Sequence, residues 1–401
     1  MVLSPIWMNM IKKTELASAD IAEAKLKEVA GLRLNLASLS DIHLNHPNTP
    51  TEFIIRNINR YVFPDTPETR ALDIIFIGGD VTDSLMDFAS NNAVAYRKWV
   101  SSFLQYCKKY DIMVRIIEGT PLHDWGQSII FVEENENHNI GCDLRYFKDI
   151  AIEHISRFNI DVLYIPDEAR PNTAITWGVV QSLLAERNLT KVDFAIMHGA
   201  FGYQLPNIED IKDKIHSEEN YTSIVRHYIF IGHVHQHRPN GKIIPNGSTD
   251  RLRHGEEDIK GHVRLCKGHI EFIPNHGAMR YITLEVPGMS ADEIMDIVEQ
   301  RLKGNEDIFQ IRLLANVGDI AFGITKRLTS MYPHGRFDVA NIDKPNKRRE
   351  RTVLRENRTQ GLPTLTKGNL FDEWCKEIKL LNPDRYDHCE KLAEIVINAV
   401  K

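Results

Sequence analysis

Short apolar runs that end in glycine or polar residues recur along the chain from Leu32, and they constrain the fold more than any other feature. Five of them read LRLNLASLSD, LDIIFIGGD, IMVRIIEG, VDFAIMHG and YIFIGH, and helix-like stretches such as residues 88–110 and 143–158 lie between them. Strand-like runs that alternate with helical patterns are typical of a layered α/β domain whose functional residues lie at the strand ends. We therefore expect an α/β fold.

Composition limits the class of protein. The 401 residues, 42% of them apolar, suit one large domain with one or two small ones. No apolar stretch approaches the ~20 residues that span a bilayer, and no secretory signal pattern opens the chain, so a cytoplasmic protein without membrane association is expected. Five cysteines without a Cys-x-x-Cys pair indicate neither a disulfide framework nor a thiolate zinc site. A net charge of −6 argues against nonspecific coating of nucleic acid.

Metal-binding residue types follow the strand-like runs. SDIHL and IGHVHQH each place two of them at i, i+2, on one side of an extended segment. A single histidine at a strand end is usually structural, and a Gly-Asp pair is usually a turn. Five such pieces in succession, all with oxygen and nitrogen ligands, favour a two-metal site. The residues concerned are Asp41, His43, Asp80, His123, Asp124, His198, His233 and His235.

The order of these pieces, Asp-x-His, Gly-Asp-x-x-Asp, Gly-(Asn)-His-Asp, His and Gly-His-x-His, resembles the calcineurin-like metallophosphoesterases over about Leu32 to His235. The segment PNGSTDRLRHGEEDIKGHVRL, from Pro245, is similar to a Pro-Gly-Ser … Gly-Glu … Lys-His-Val segment of SbcD-type nuclease subunits of the double-strand-break repair complex. It departs at Asn246 and by an extra residue before His262. The resemblance implies a layered αββα metallophosphoesterase sandwich with a small α/β cap domain and a C-terminal helical pair.

The resemblance also implies roles for these residues. Two divalent ions are expected, manganese first, with magnesium, iron and zinc as alternatives. Their ligands would be Asp41, His43 and His235 for one ion, His198 and His233 for the other, and Asp80 for both. His123 would act on the scissile phosphate and leaving oxygen as a general acid, and Asp124 would orient its imidazole. The alternative for His123 is a loop residue that is hydrogen-bonded to the backbone.

The loop IIEGTPLHDWGQ departs from the family where an asparagine is expected. Counting back from His123 puts Leu122 at that position, and leucine cannot bind a metal. Counting forward from Gly119 puts Thr120 there, and its hydroxyl is a shorter and weaker ligand than an amide oxygen. We therefore expect weaker occupancy of the second metal, Thr120 as the substitute ligand, and a packing role for Leu122. A degenerate member without catalysis is the alternative.

The sequence predicts five segments. These are an N-terminal helical extension (1–30), a nuclease domain (31–278), a small α/β cap domain (279–340), a basic linker (341–366) and a C-terminal helical partner-docking segment (367–401). The cap domain reads strand RYITLEV, helix Ala291 to Lys303, strand IFQIRLL, helix Asp319 to Tyr332 and then GRFDVAN. In SbcD-type proteins a module of this kind covers the active site and contacts DNA.

Partners are predicted from the C-terminal half of the chain. Seven Lys/Arg lie among the fifteen residues of KPNKRRERTVLRENR, which suits either phosphate contact or a solvated linker. The candidates for DNA binding are Arg251, Arg253, Lys347, Arg348 and Arg349. Helical segments Asn369 to Leu381 and Arg385 to Ala399 each have an apolar face. By the resemblance they would dock an SbcC-like coiled-coil ATPase, unless they pack back on their own domain, and a homodimer is expected.

The predicted function is that of a metal-dependent DNA nuclease, the nuclease subunit of an SbcCD-like complex. Two alternatives remain open. One is a stand-alone phosphodiesterase or phosphatase for small molecules or proteins. The other is a DNA-end-binding scaffold with a vestigial metal site.

Overall fold

The fold is taken from a computed structural model that describes residues 33–167, 172–205, 214–303 and 309–342. The predicted N-terminal extension and C-terminal helices lie outside these residues, as does all but the start of the predicted basic linker. The chain divides into two compact units, Met1–Val339 and Ala340–Lys401. The elements below belong to the first unit, whose final strand runs two residues past this boundary.

The described residues form strands and helices in alternation. The strands are β1 (Leu36–Leu39), β2 (Ile74–Ile77), β3 (Met113–Ile117), β4 (Leu144–Phe147), β5 (Ala151–Ile155), β6 (Ile160–Ile165), β7 (Val192–His198), β8 (Ala200–Phe201), β9 (Ile215–His216), β10 (Val225–Gly232), β11 (Ile243–Pro245), β12 (Gly261–Cys266), β13 (His269–Pro274), β14 (Arg280–Glu285), β15 (Phe309–Ala315) and β16 (Gly335–Asn341). The α-helices are α1 (Thr51–Asn57, continued by a π-helix, Ile58–Val62), α2 (Pro67–Arg70), α3 (Asn91–Lys109), α4 (Pro121–Asp124), α5 (Ile130–Asn137), α6 (Thr173–Glu186), α7 (Glu218–Ile224), α8 (Ala291–Leu302) and α9 (Ala321–Met331).

Two large sheets pack face to face. The first has the order β13-β12-β1-β2-β3-β4, and the second has the order β11-β10-β7-β6-β5. Strands β1 to β4 are mutually parallel, as are β6, β7, β10 and β11. Apolar side chains from both sheets fill the space between them, with the ring of Phe76 stacked 6.4 Å from that of Phe230. The predicted α/β fold is confirmed.

Helices cover the outer face of each sheet. Helices α1, α3 and α5 pack on the first sheet through an aromatic-rich core that includes Tyr96, Trp99 and Phe131. Helices α6 and α7 pack on the second sheet, where Val180 and Tyr221 are buried. The order of layers is therefore helix, sheet, sheet, helix, because each sheet buries both of its faces. None of the described helices is long and apolar enough to cross a membrane.

The predicted helix over residues 143–158 is wrong, because this segment forms β4 and β5 instead. Leu144 and Tyr146 pack toward the helices on one face of the first sheet, whereas Phe147 packs into the core between the sheets. Side chains that point to opposite faces in alternation require an extended backbone. The helical pattern of the sequence was overridden by pairing with neighbouring strands.

The residues of the predicted cap domain form the elements that the sequence indicates. Strands β14, β15 and β16 make a three-stranded sheet with helices α8 and α9, around an apolar core of its own. Alternate residues of β15, including Phe309, Ile311 and Leu313, are buried, as expected of a strand with one face on a core. Ser290 caps α8 by accepting a hydrogen bond from the Glu293 backbone.

His262 provides a test of acid stability. It is fully buried in β12, packs on Phe63 and accepts a hydrogen bond from Nε of Arg264 at 3.2 Å. Burial, together with the Arg264 charge, lowers the pKa of His262 from 6.5 to about 3. Folding therefore favours the neutral ring, and its stabilisation is complete above pH 6.5 and is lost as the pH falls toward 3.

We expect the wild type to lose about 2 kcal/mol more unfolding free energy between pH 7.5 and pH 5 than His262→Phe does. Urea unfolding at the two pH values measures the difference, with exposed His269→Gln as the control that removes one histidine from the surface. An equal acid-induced loss in wild type and His262→Phe would contradict the assignment.

Candidate metal centre

The predicted metal ligands converge at one end of the two sheets. Asp41 and Asp80 follow the parallel strands β1 and β2, while His198 and His233 end or follow β7 and β10. Parallel strands place their carboxyl ends at one edge, so these loops meet there. The backbone N–H of His233 donates to Oδ1 of Asp41 at 3.0 Å, which joins the loops of the two sheets.

The first cluster consists of Asp41, His43 and His235, whose ligand atoms all lie within 4.8 Å of one another. Nε2 of His43 lies 3.1 Å from Nε2 of His235, and Nε2 of His235 lies 3.7 Å from Oδ1 of Asp41. Asp41 and His43 are almost fully buried. Three potential ligand atoms therefore face one small volume, as the sequence predicts for one ion.

The second cluster consists of Asp80, His198 and His233, again within 4.8 Å. Oδ1 of Asp80 lies 3.3 Å from Nε2 of His198, and Oδ2 of the same carboxylate lies 3.8 Å from Nε2 of His43. Asp80 therefore presents one oxygen to each cluster. This is the position that the sequence predicts for a ligand shared by two ions.

The donor set fits divalent cations. Nδ1 of His198 lies 2.7 Å from the Gly78 carbonyl, and Nδ1 of His235 lies 3.1 Å from Oε1 of Glu256. Because both oxygens are acceptors, each ring carries its proton on Nδ1 and donates it in a hydrogen bond. Nε2 of each ring is then the atom available to a metal, and it lies 3.3 Å from Oδ1 of Asp80 in His198 and 3.1 Å from Nε2 of His43 in His235. Lone pairs and anions at such distances repel each other unless a proton or a metal cation lies between them. The residues present thus suit the two-ion centre that the sequence predicts.

The electrostatics of the second cluster agree with this requirement. Burial lowers the pKa of His198, but the Asp80 carboxylate outweighs burial and raises it to about 10. Burial alone would raise the pKa of Asp80. The charge and hydrogen bond of His198 outweigh burial and hold the pKa of Asp80 well below its usual range. Asp80 therefore stays ionised only with positive charge beside it, supplied either by a proton on His198 or by a metal.

Four of the predicted ligands have left-handed backbone conformations. The φ angles are 52° at Asp41, 54° at His43, 51° at Asp80 and 93° at His233. Residues with a β-carbon adopt such conformations rarely and at a cost, and they cluster at functional sites. The surrounding fold thus maintains strain at the residues that aim ligand atoms into the two clusters.

Thr120 lies beside the second cluster, as predicted. Its hydroxyl oxygen is 3.3 Å from Oδ2 of Asp80, 3.3 Å from Nε2 of His198 and 3.4 Å from Nδ1 of His233. Its backbone N–H also donates to Oδ1 of Asp80 at 2.6 Å. The hydroxyl is therefore placed where the substitute ligand would have to be, and metal ligation by it remains a prediction.

The prediction that Leu122 serves packing is wrong. Its side chain is 72% exposed, on the single turn of helix α4. Pro121 begins that turn, and the turn raises Leu122 away from the core while Asp124, two residues on, is buried. The residue types of the loop do not reveal this difference, because a one-turn helix can present any of its sides to solvent.

Asp124 has a different role from the predicted one. Its carboxylate accepts hydrogen bonds from the backbone N–H groups of Gly119 (2.7 Å), Asp80 (3.0 Å) and Thr82 (3.0 Å). Asp124 therefore joins the loops after β2 and β3. Nδ1 of His123 lies 2.8 Å from the backbone carbonyl of Asp83, so that carbonyl, and not Asp124, orients the imidazole.

His123 lies beside the first cluster and is partly open to solvent. Its ring makes an edge contact with that of His43, with centroids 5.0 Å apart, and its side chain is 39% exposed. Since the Asp83 carbonyl accepts from Nδ1, Nε2 is the atom that gains or releases the second proton. This geometry suits the general acid that the sequence predicts, and that role remains a prediction.

Sequence reasoning missed three residues around the clusters. Oδ1 of Asp83 lies 3.2 Å from Nδ1 of His43, on the side of the ring away from His235. Glu256 binds Nδ1 of His235, and although burial raises the pKa of Glu256, this bond outweighs it and lowers the value to about 2. Nδ1 of His46 accepts hydrogen bonds from two loop N–H groups, and burial lowers the pKa of His46 although the charge of Asp83 raises it.

A sequence signal existed for two of these three residues. Asp83 is the last residue of GGDVTD, and Glu256 lies in the HGEED part of the segment that resembles SbcD-type subunits. A carboxylate that orients a metal-binding imidazole is a common partner of such rings. His46 gave no comparable signal.

The predicted DNA-binding residues differ in their locations and contacts. The Arg251 guanidinium donates to the backbone carbonyls of Asp258 (3.1 Å) and Met279 (3.4 Å), so it has an internal role. Arg253 is exposed and pairs with Glu256 at 3.1 Å, and its contact with DNA remains a prediction. The other three candidates, Lys347, Arg348 and Arg349, lie outside the described residues.

Comparisons with known proteins give no family. No protein-family model matches the sequence, and no curated protein matches it. Among solved structures, TT1561 of Thermus thermophilus is similar at 12% identity, over 61% of this chain and 100% of that chain, with a TM-score of 0.35. A second solved chain is similar at 11% identity, over 60% of this chain and 98% of that chain, with a TM-score of 0.35. Neither likeness indicates a function.

Thr120→Val tests the substitute ligand, because it keeps the shape and the backbone N–H while removing the hydroxyl. We expect the Mn²⁺ affinity of the second cluster to fall by at least about tenfold while that of the first is unchanged. Calorimetric titration of the metal-free protein measures both affinities. Thr120→Ser, which keeps the oxygen, is the matched control and should titrate like the parent. Identical isotherms for Thr120→Val and the parent would exclude the hydroxyl as a ligand.

Proposed function

We propose that this chain is a metal-dependent phosphodiesterase of the calcineurin-like kind that cleaves DNA, as the nuclease subunit of an SbcCD-like complex. The observation that carries the proposal is the carboxylate of Asp80, which presents one oxygen to each of two Asp/His clusters. The order of layers, helix, sheet, sheet, helix, agrees with a metallophosphoesterase sandwich, and the site lies at the strand ends where that fold would require it.

Different residues of the chain would have different roles in hydrolysis. Two divalent ions bound by the clusters would lower the pKa of a bound water and neutralise phosphate oxygens. The protein fixes the ligand atoms through acceptors on the far side of the rings, namely Gly78 and Glu256. His123, held by the Asp83 carbonyl, is free at Nε2 to donate a proton to the leaving oxygen of the phosphodiester.

Two alternative functions use the same residues. A stand-alone phosphodiesterase or phosphatase would need the clusters and His123 but no DNA surface. A DNA-end-binding scaffold would need the surface but not the chemistry. The strained ligands and the fixed ring of His123 favour catalysis over a scaffold, since a vestigial site has no reason to retain strain at four ligand positions.

A substrate panel with Mn²⁺ separates these functions. We expect the wild type to cleave linear single- and double-stranded DNA and bis-p-nitrophenyl phosphate. Asp80→Asn should lose bound metal and hydrolysis together, because the shared ligand is weakened. His123→Gln should keep the metal and lose about 10²–10⁴-fold in turnover. Asp87→Asn alters an exposed aspartate in the loop that follows Asp80. It is the control and should behave like the wild type.

Each other outcome has a definite meaning. Hydrolysis of bis-p-nitrophenyl phosphate with DNA left intact would assign the chain to the stand-alone phosphodiesterases. DNA binding without hydrolysis of any ester would favour the scaffold. Loss of metal from His123→Gln would show that this histidine is a ligand, contrary to the role proposed for it.

The partners belong to the same proposal: a homodimer that docks an SbcC-like ATPase through residues 367–401. We expect deletion of residues 368–401 to leave Mn²⁺-dependent cleavage of a short oligonucleotide unchanged and to abolish co-purification with a co-expressed SbcC-like ATPase. In the full-length chain, the apolar faces of the two predicted helices would bind the base of the ATPase coiled coil. A truncated protein that aggregates or loses its fold would place these helices in the core and contradict docking.

A further inference from the structure

Two large apolar side chains are exposed on the turn that carries His123. Leu122 is 72% exposed and Trp125 is 52% exposed. Leu122 lies in helix α4 and Trp125 directly follows its last residue, and the indole of Trp125 contacts the backbone of Leu122. Exposed apolar side chains are ordinary when scattered, but a pair beside a candidate catalytic group points to a ligand.

The indole of Trp125 is held in a defined position. Its Nε1 donates to the backbone carbonyl of Leu122 at 2.8 Å. The backbone at Trp125 is left-handed, with φ of 50°, and Gly126 follows at 70°. An aromatic residue in this conformation costs free energy that the core does not recover, since the ring is half exposed. The turn thus presents a rigid, solvent-facing aromatic ring at the edge of the site.

The surroundings of this ring suit a nucleotide. Two residues of chain span at most about 7 Å, so the backbone of Trp125 is within about one nucleotide of that of His123. Lys148 is exposed, and its ammonium lies 3.8 Å from the position that a β-carbon on Gly126 would take. The Lys148 ammonium therefore lies beside the residue that follows Trp125, and an exposed aromatic ring with a cation nearby suits an unpaired nucleic acid strand, which binds through base stacking and phosphate contact.

We propose that Trp125 and Leu122 form a stacking subsite for one unpaired nucleobase, adjoining the phosphate that His123 faces. The substrate class is therefore a single-stranded nucleic acid or the frayed end of a duplex. The subsite rests on the proposed function for its location, but binding at it does not require hydrolysis. Lys148 contacts the neighbouring phosphate of the same strand.

Binding of a fluorescein-labelled single-stranded oligonucleotide to the full-length protein in EDTA tests the subsite. We expect Trp125→Ala to raise Kd by at least about fivefold, the lower end for stacking of a base on an aromatic side chain. Trp125→Phe should stay close to the wild type, because it keeps an aromatic face. Ile175→Ala, which removes an exposed apolar side chain from α6, is the control and should have no effect. An oligonucleotide of abasic residues should bind wild type and Trp125→Ala equally.

Three results would overturn the subsite. These are an unchanged Kd for Trp125→Ala, an equal loss of affinity for the abasic strand, and a change in the oligomeric state of Trp125→Ala, which would assign this face to a second copy of the chain. Incubation of the same oligonucleotide with Mn²⁺ separates the two proposals. Normal binding without cleavage by the wild type would overturn the nuclease function and leave the subsite standing.

Discussion

A carboxylate buried between two groups of imidazoles is the constraint on which the rest of this structure depends. Asp80 is almost fully buried, and its two oxygens face His198 on one side and His43 on the other. A buried carboxylate without positive charge nearby would protonate or destabilise the fold. In the metal-free protein a proton on Nε2 of His198 can supply that charge, and a bound metal ion would take its place. The arrangement therefore requires positive charge beside Asp80, and we propose that bound metal ions supply it in the active protein.

Two glycines let the loops that carry the site approach each other closely. A β-carbon on Gly119 would overlap the backbone nitrogen of Asp80, and one on Gly79 would lie 2.6 Å from Nδ1 of His198. Asp124 then ties the two loops together through buried backbone hydrogen bonds. Burial, followed by the charges of Asp80 and Glu118, raises the pKa of Asp124 to about 8, and a cation beside Asp80 would oppose this.

The sequence predicted which Asp and His side chains converge, but not the groups that position them. Asp80 and His198 could be found because parallel strands deliver their last residues to one edge, whatever the details of the loops. The partner of His123 could not, since a backbone carbonyl carries no residue signature. Exposure of Leu122 depended on how one helical turn is oriented. The strands at 143–158 were missed because strand pairing, which a local pattern does not contain, outweighed helical periodicity.

The central claim is that one carboxylate joins two metal ions, and electron paramagnetic resonance of the Mn²⁺-loaded protein tests it most directly. Two ions that share a carboxylate are close enough for their spins to couple, whereas separate ions give independent signals. The structure predicts two Mn²⁺ per chain with a coupled spectrum in the wild type. One uncoupled ion per chain at saturating Mn²⁺, or two ions without coupling, would contradict the account.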